Sequence, residues 1–380
     1  MITIKNKTLL EYLLLISIIG VFSACFHAMN VLHNLPLHIA YNDIWAFYGK
    51  AKEEGMPYID KKIEYPVITG LFIQFMGVLG QDYVGYYFYS SLFLILFAIT
   101  ATYFMLKTIE RENQKRLVIF WILAPSMFFF LVYNWDIIAV LFVVIAFYAI
   151  KQDKDNLASL FLALGFSSKF FPVIYLLPLL LKKNRIHEWA QIIGVFVMTT
   201  LVINIFFMLS NFDGWYYFFI FNRVRPPNPD SIWEAVKSLF NFGFSIARIN
   251  MISFLAFLIS STVLVWTFRH ESTLKLCFIL TLTMLIVNKI LSPQYFLWLL
   301  PFYVLLPLVE KKTFYTLELS NLIAFFGIMF YYGTGVITFH YLFNFFVIVR
   351  HIILIFLLMK TLDANSILRK LAQKLRDIKK

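Results

Sequence analysis

Charge is scarce in this chain. Only 14% of its 380 residues are Asp, Glu, Lys or Arg, against about 25% in an ordinary soluble domain. That deficit excludes a water-soluble globular enzyme and a disordered polar chain. Cysteine is scarcer still. Cys25 and Cys277 are the only two, each inside an apolar run, so a disulfide framework is excluded. The 7 His are scattered without any HExxH-type spacing, and no metal site is expected. P-loop, GxGxxG and GxSxG patterns are absent. Energy-coupled nucleotide hydrolysis and nucleotide-sugar binding on a Rossmann domain therefore have no support.

What is abundant is apolar mass. The hydrophobic set makes up 61% of the chain, with Phe 44 and Tyr 21. A spanning helix needs about 20 mostly apolar residues. Runs of that kind predict spans near 10–28, 83–106, 117–133, 135–150, 157–168, 170–181, 189–209, 251–268, 273–290, 294–309, 317–333 and 337–359, about twelve in all. The pair 157–168 and 170–181 is short and split by Lys169 and Pro172, as in a broken or re-entrant hairpin. The run 66–80 is short, rich in Gly and begins with Pro66. Counting it as a span would put the basic loop of Lys107, Arg111, Lys115 and Arg116 outside, so it reads as an interfacial helix. With the N-terminus inside, roughly two thirds of the 33 Lys+Arg fall on the inner side, which is the bias that sets topology. The formal net charge of +12 is thereby orientation information rather than a sign of nucleic-acid binding. Lys5 and Lys7 before an apolar stretch resemble a signal peptide, but an uncleaved first span is the preferred reading.

The expected organisation is a polytopic transmembrane domain over 1–360 with two long outer loops, 29–82 and 210–250, and a basic amphipathic cytoplasmic tail over 361–380. The tail suits an anionic inner leaflet. Both loops are rich in Tyr, Trp and Phe, so they are ordered and invite function.

In the first loop, Asn42-Asp43 precedes a short helix that Gly55 ends; either residue can cap it. If Asp43 is not the cap, it is a carboxylate at the membrane surface suited to act as a general base. Glu64-Tyr65-Pro66 closes the loop, with Glu64 either paired to Lys61 or Lys62 or holding a sugar or acceptor. Asn134-Trp135-Asp136 opens a span at the outer face. There Asp136 either serves the helix start or, with Trp135, stacks and hydrogen-bonds a sugar. Lys169 sits deep in an apolar region, where a charge is a functional hypothesis by default. Lys289 repeats the pattern, followed by Ser292, Gln294 and Tyr295. In the second loop Arg223 and Arg225 precede a Pro-rich stretch and suit phosphate binding.

These pieces, Tyr41-Asn42-Asp43 to Tyr58, Glu64-Tyr65-Pro66, Asn134-Trp135-Asp136, Ser168 to Pro172 and Ser292 to Trp298, occur over most of the chain in an order that resembles the GT-C superfamily of membrane glycosyltransferases, most closely glycosyltransferase family 87. The glycosylphosphatidylinositol mannosyltransferases share a similar first loop. The resemblance implies an all-α integral membrane protein, a bundle of about 12 transmembrane helices whose outward-facing first loop carries juxtamembrane helices. It implies a hexosyltransferase that uses a polyprenyl-phosphate sugar, usually mannose, with the first-loop Asp43 as catalytic base. Acting outside, such an enzyme would sit in the plasma membrane of a prokaryote. Lys169, Arg223, Arg225 and Lys289 are the candidates for the donor phosphate. Glu64, Tyr65, Trp135, Asp136, Gln294 and Tyr295 are the candidates for sugar and acceptor. No cofactor is expected, and the single Asp43 after Asn42 departs from relatives with a paired acidic motif that holds a metal. Expected partners are the bilayer, the lipid-linked donor and a glycolipid or glycan acceptor, with no nucleic acid. The competing reading is a secondary transporter or lipid-linked sugar flippase. Against it, the two halves show no similarity and the polar residues collect on one face.

Overall fold

The computed structural model describes residues 6–33, 38–240 and 243–363; the predicted tail helix over 361–380 lies almost wholly outside the described residues. Among these the chain is helical, with no strand and one isolated bridge between Pro57 and Lys61. Helix α1 (Asn6–His33) leads into the first loop with α2 (Asp43–Ala46), α3 (Tyr48–Lys52) and α4 (Val67–Leu79), and α5 (Tyr83–Thr108) returns. A broken stretch follows, made of α6 (Lys115–Leu117), a π-helical turn at Val118–Ile122 and α7 (Pro125–Phe130). Next come α8 (Asp136–Lys151), α9 (Asp155–Phe166), a 3-10 turn at Phe171–Tyr175, α10 (Leu176–Leu180) and α11 (Ile186–Ser210). The second loop holds α12 (Phe212–Val224) and α13 (Ile232–Phe240). The chain continues through α14 (Ile246–Thr267), α15 (Thr273–Val287), a 3-10 segment at Pro293–Trp298, α16 (Leu300–Leu305), α17 (Lys311–Thr334) and α18 (Ile337–Thr361).

Six described helices are long and apolar enough to cross a membrane: α1, α5, α11, α14, α17 and α18. The expected count of about twelve also included runs that form shorter helices. Of these, the runs over 117–133, 170–181 and 294–309 are broken where Pro125, Pro172, Pro178, Pro293 and Pro301 fall inside or next to them. Proline removes an amide donor and clashes with the preceding turn, so it cuts an apolar run into segments. The run 66–80 becomes α4, whose 13 residues cover about 20 Å at 1.5 Å per residue. That is shorter than a hydrocarbon core of about 30 Å.

The middle of the bundle is α8, buried along nearly its whole length, packed against α5 and α9. By contrast α11 and α14 expose large apolar side chains such as Val202, Leu209, Ile259 and Trp266. An exposed apolar face on a long helix is the face that lipid covers. The first loop is anchored by close backbone contact: a Cβ on Gly214 at the start of α12 would lie 2.2 Å from the Tyr58 carbonyl oxygen, so only glycine fits there.

Candidate active site

Asn42, not Asp43, caps α2. Its Oδ1 accepts from the Trp45 amide at 2.7 Å, satisfying one of the donors a helix start leaves open. The Asp43 carboxylate is thereby free to turn to the side. Its Oδ1 accepts from the Tyr41 hydroxyl at 3.1 Å and its Oδ2 from Asn134 Nδ2 at 2.5 Å. The Asp43 amide donates to the Tyr133 carbonyl at 2.9 Å, which ties α2 to the start of α8. Burial pushes the Asp43 carboxyl above the usual carboxylate range, against the pull of Asn134, Lys169 and Tyr41.

Asn134 is the hub of this corner. Besides Asp43 it donates to the Tyr65 hydroxyl at 3.0 Å, and its Oδ1 faces Lys169 Nζ at 3.4 Å. Lys169 in turn pairs with Asp136 at 3.1 Å, and its ammonium lies over the rings of Tyr65 and Tyr295. Asp136 has no exposed surface; its second oxygen accepts from Trp298 Nε1 at 2.8 Å. The Tyr295 and Trp298 rings stack at 3.9 Å, and Trp298 stacks on Phe171 at 4.1 Å.

The second loop supplies the other wall. Asn228 accepts from Arg225 Nη2 at 2.8 Å and donates to Ser292 Oγ and the Leu291 carbonyl. Lys289 Nζ donates to the Arg225 carbonyl at 2.6 Å. Among the described residues neither Arg225 nor Lys289 forms an ion pair with a carboxylate. Burial, together with the neighbouring Arg225, brings the Lys289 ammonium down to about 8. Glu64 faces the same space; burial raises its carboxyl, opposed first by Arg225.

These groups line one cavity of about 750 Å³. Of the residues singled out from the sequence, the structure brings Asp43, Glu64, Tyr65, Lys169, Arg225, Lys289, Gln294 and Tyr295 together on its wall. It does not bring Arg223, Trp135 or Asp136 there. Arg223 is exposed and offers only its carbonyl, to Asn250 and Lys289. Trp135 is buried edge-on against Phe47 and Tyr65 and cannot stack a sugar. Asp136 is enclosed by Lys169 and Trp298, so its carboxylate positions Lys169 and touches no cavity. Tyr41, Tyr133, Asn134, Asn228 and Asp230 also line the cavity and were not among the site candidates. Tyr41 and Asn134 belong to the motifs that carried the resemblance. Phe170, Val173, Phe218, Phe221, Phe254 and Met284 give the same cavity an apolar lining, drawn from α12, α14, α15 and the segment at Phe170–Val173.

A cavity with mostly apolar walls and a few convergent polar groups is the usual form of a ligand site. Comparison with known families bears on which kind. The model of glycosyltransferase family 87 matches residues 64–293, more than half of the chain, and the chain belongs to that family. It is therefore a membrane glycosyltransferase. The matched span holds Glu64, Tyr65, Asn134, Lys169, Arg225, Asn228 and Lys289 and stops short of Asp43 and Gln294. Among curated proteins the chain is similar to GPI mannosyltransferase 1 of Kluyveromyces lactis, 24% identical over 324 residues, 77% of this chain and 79% of that one. The protein of the same name from Candida albicans is 24% identical over 343 residues, covering 80% and 83%. That of Saccharomyces cerevisiae is 20% identical over 312 residues, covering 73% and 76%.

Proposed function

We propose that this glycosyltransferase moves mannose from a polyprenyl-phosphate-mannose donor to a hydroxyl of a glycolipid or glycan acceptor on the outer face of the membrane. The observation that carries the reading is the pairing of two features in one cavity. Asp43 is released from capping by Asn42, and across from it stand Arg225 and Lys289, two cations without a carboxylate partner. Relatives that are mannosyltransferases support the sugar. The apolar lining suits the polyprenyl chain, and α11 and α14 expose apolar faces to lipid.

The chemistry follows from the placement. An acceptor hydroxyl is a weak nucleophile, and Asp43 takes its proton as the oxygen attacks the anomeric carbon. The bond from that carbon to the phosphate oxygen breaks, and polyprenyl phosphate leaves with its charge matched by Arg225 and Lys289. Lys169, already paired with Asp136, holds Asn134 and through it the orientation of Asp43. The glycosyl phosphate is activated before it arrives, so the step uses no cofactor. One base and one direct displacement invert the anomeric carbon, turning a β-linked donor into an α-linked product.

The test is transfer by the purified, reconstituted protein. Polyprenyl-phosphate-mannose and a glycolipid extract should yield an α-linked mannose product and free polyprenyl phosphate. No transfer from mannose, glucose or galactose donors, together with measurable flux of lipid or sugar across the vesicle, would overturn the proposal.

A further inference from the structure

Arg350 lies within α18 with none of its surface exposed. Its Nη1 donates to Asp230 Oδ1 at 3.0 Å and to Asn321 Oδ1 at 2.7 Å, and its Nη2 donates to the Asp230 carbonyl at 2.6 Å. A charge inside a membrane bundle is costly and marks a site that needs it. Arg350 itself does not reach the cavity, but Asp230 does. Asp230 is not tied up at the helix start that follows it, because Ser231 Oγ accepts the Glu234 amide of α13 at 3.4 Å. One Asp230 oxygen therefore takes the guanidinium. The other has no hydrogen-bond partner among the described residues, and the side chain keeps 10% of its surface open.

A second observation points the same way. Asn321, held by Arg350, donates through Nδ2 to the Pro293 carbonyl at 2.9 Å. The next residue, Gln294, is 5% exposed, lines the cavity, and has its amide oxygen without a partner. One buried network thus steadies two unfilled acceptors on the cavity wall. Asp230 and Gln294 line the same cavity as Asp43, the proposed base.

Unfilled acceptors in a buried pocket call for a ligand rich in hydroxyl donors. We infer that Asp230 accepts a hydrogen bond from a hydroxyl of the transferred hexose, with Arg350 holding its carboxylate in place. The inference rests on the proposed transfer reaction and adds to it a residue that reads the sugar. A carboxylate acceptor gives a shorter, stronger hydrogen bond than a neutral one, and a site built around a hydroxyl rejects the analogue that lacks it.

The experiment measures kcat/KM with polyprenyl-phosphate-mannose and each of its monodeoxy analogues. Three proteins are compared: wild type, Asp230→Asn, and the pair Asp230→Ala/Arg350→Met, which removes both buried charges so that neither is stranded. For the wild type, one monodeoxy donor should lose at least about 10-fold. In both variants that penalty should shrink to within about threefold, because the intact donor has fallen to the level of the deoxy one. If Asp230 only anchors the second loop, every donor slows equally and each penalty persists, which overturns the inference. A wild type that shows no penalty for any monodeoxy donor overturns it without recourse to a variant. A wild type that transfers no mannose at all overturns the proposed function and this inference with it.

Discussion

Asp136→Asn removes one charge from the buried pair beneath the cavity. The asparagine keeps an acceptor for Trp298 Nε1, which lies 2.8 Å from the carboxylate. The loss falls on Lys169, left without its counter-charge at a site where its side chain is 12% exposed. Removing one member of a buried pair costs about 3–5 kcal/mol. The small opening of Lys169 to the cavity puts this variant near the lower end, about 3 kcal/mol. Lys169→Met leaves the opposite charge stranded, and Asp136 has no exposure at all. That variant belongs near the upper end, about 5 kcal/mol. The double variant Asp136→Asn/Lys169→Met carries no buried charge, and its loss should be under about 2 kcal/mol, less than either single change. The assay is equilibrium unfolding in detergent micelles, followed by tryptophan fluorescence. Single losses that simply add in the double variant would refute the assignment of Asp136 as the positioning partner of Lys169.

The pH profile of kcat/KM should be bell-shaped. On the acid side it falls as the Asp43 carboxyl, raised by burial, takes up its proton and ceases to be a base. On the alkaline side it falls as Lys289, at about 8, loses the charge that meets the phosphate; Lys289→Arg should carry the alkaline limb upward, and an unmoved limb excludes Lys289. Lys289→Ala should raise KM for the lipid-linked donor by about 10-fold or more, whereas Arg223→Ala, on an exposed side chain, should leave it within about twofold; equal effects would contradict the geometry. Asn42→Ala should lower stability by about 1 kcal/mol through the lost cap, read as a fall in the thermal midpoint. Gly214→Ala forces a Cβ against the Tyr58 carbonyl and should cost about 1–3 kcal/mol; a variant as stable as wild type would show that the first loop is not pinned there.

Much of the site was legible where a local rule decided it. Asn42-Asp43 before a helix offered two caps, and the structure spends one and frees the other. Lys169 and Lys289, each charged within an apolar run, both reach the cavity wall. What was not legible was direction. Trp135 and Asp136 open α8, but that helix is enclosed on nearly all sides, so a residue at its start points inward unless packing leaves a gap. Arg223 and Arg225 looked equivalent in sequence; only the turn into the Pro-rich segment, held by Asn228, sends Arg225 inward. Arg350 falls inside the apolar run 337–359, but its partner Asp230 lies 120 residues away, beyond any local pattern. Hydropathy records apolar mass and does not weigh prolines, so it did not show that the runs 117–133 and 294–309 are broken into short helices.

The central claim is that Asp43 takes the acceptor proton while polyprenyl phosphate leaves. Single-turnover transfer of mannose by reconstituted Asp43→Asn tests it most directly. Asparagine fits the same space, its amide oxygen accepting from Asn134 and its NH2 donating to the Tyr41 hydroxyl, so the thermal midpoint should stay close to wild type. The rate of the chemical step should fall by about 10²–10⁴-fold, with donor binding unchanged. A folded Asp43→Asn protein that transfers mannose at the wild-type rate would contradict the account.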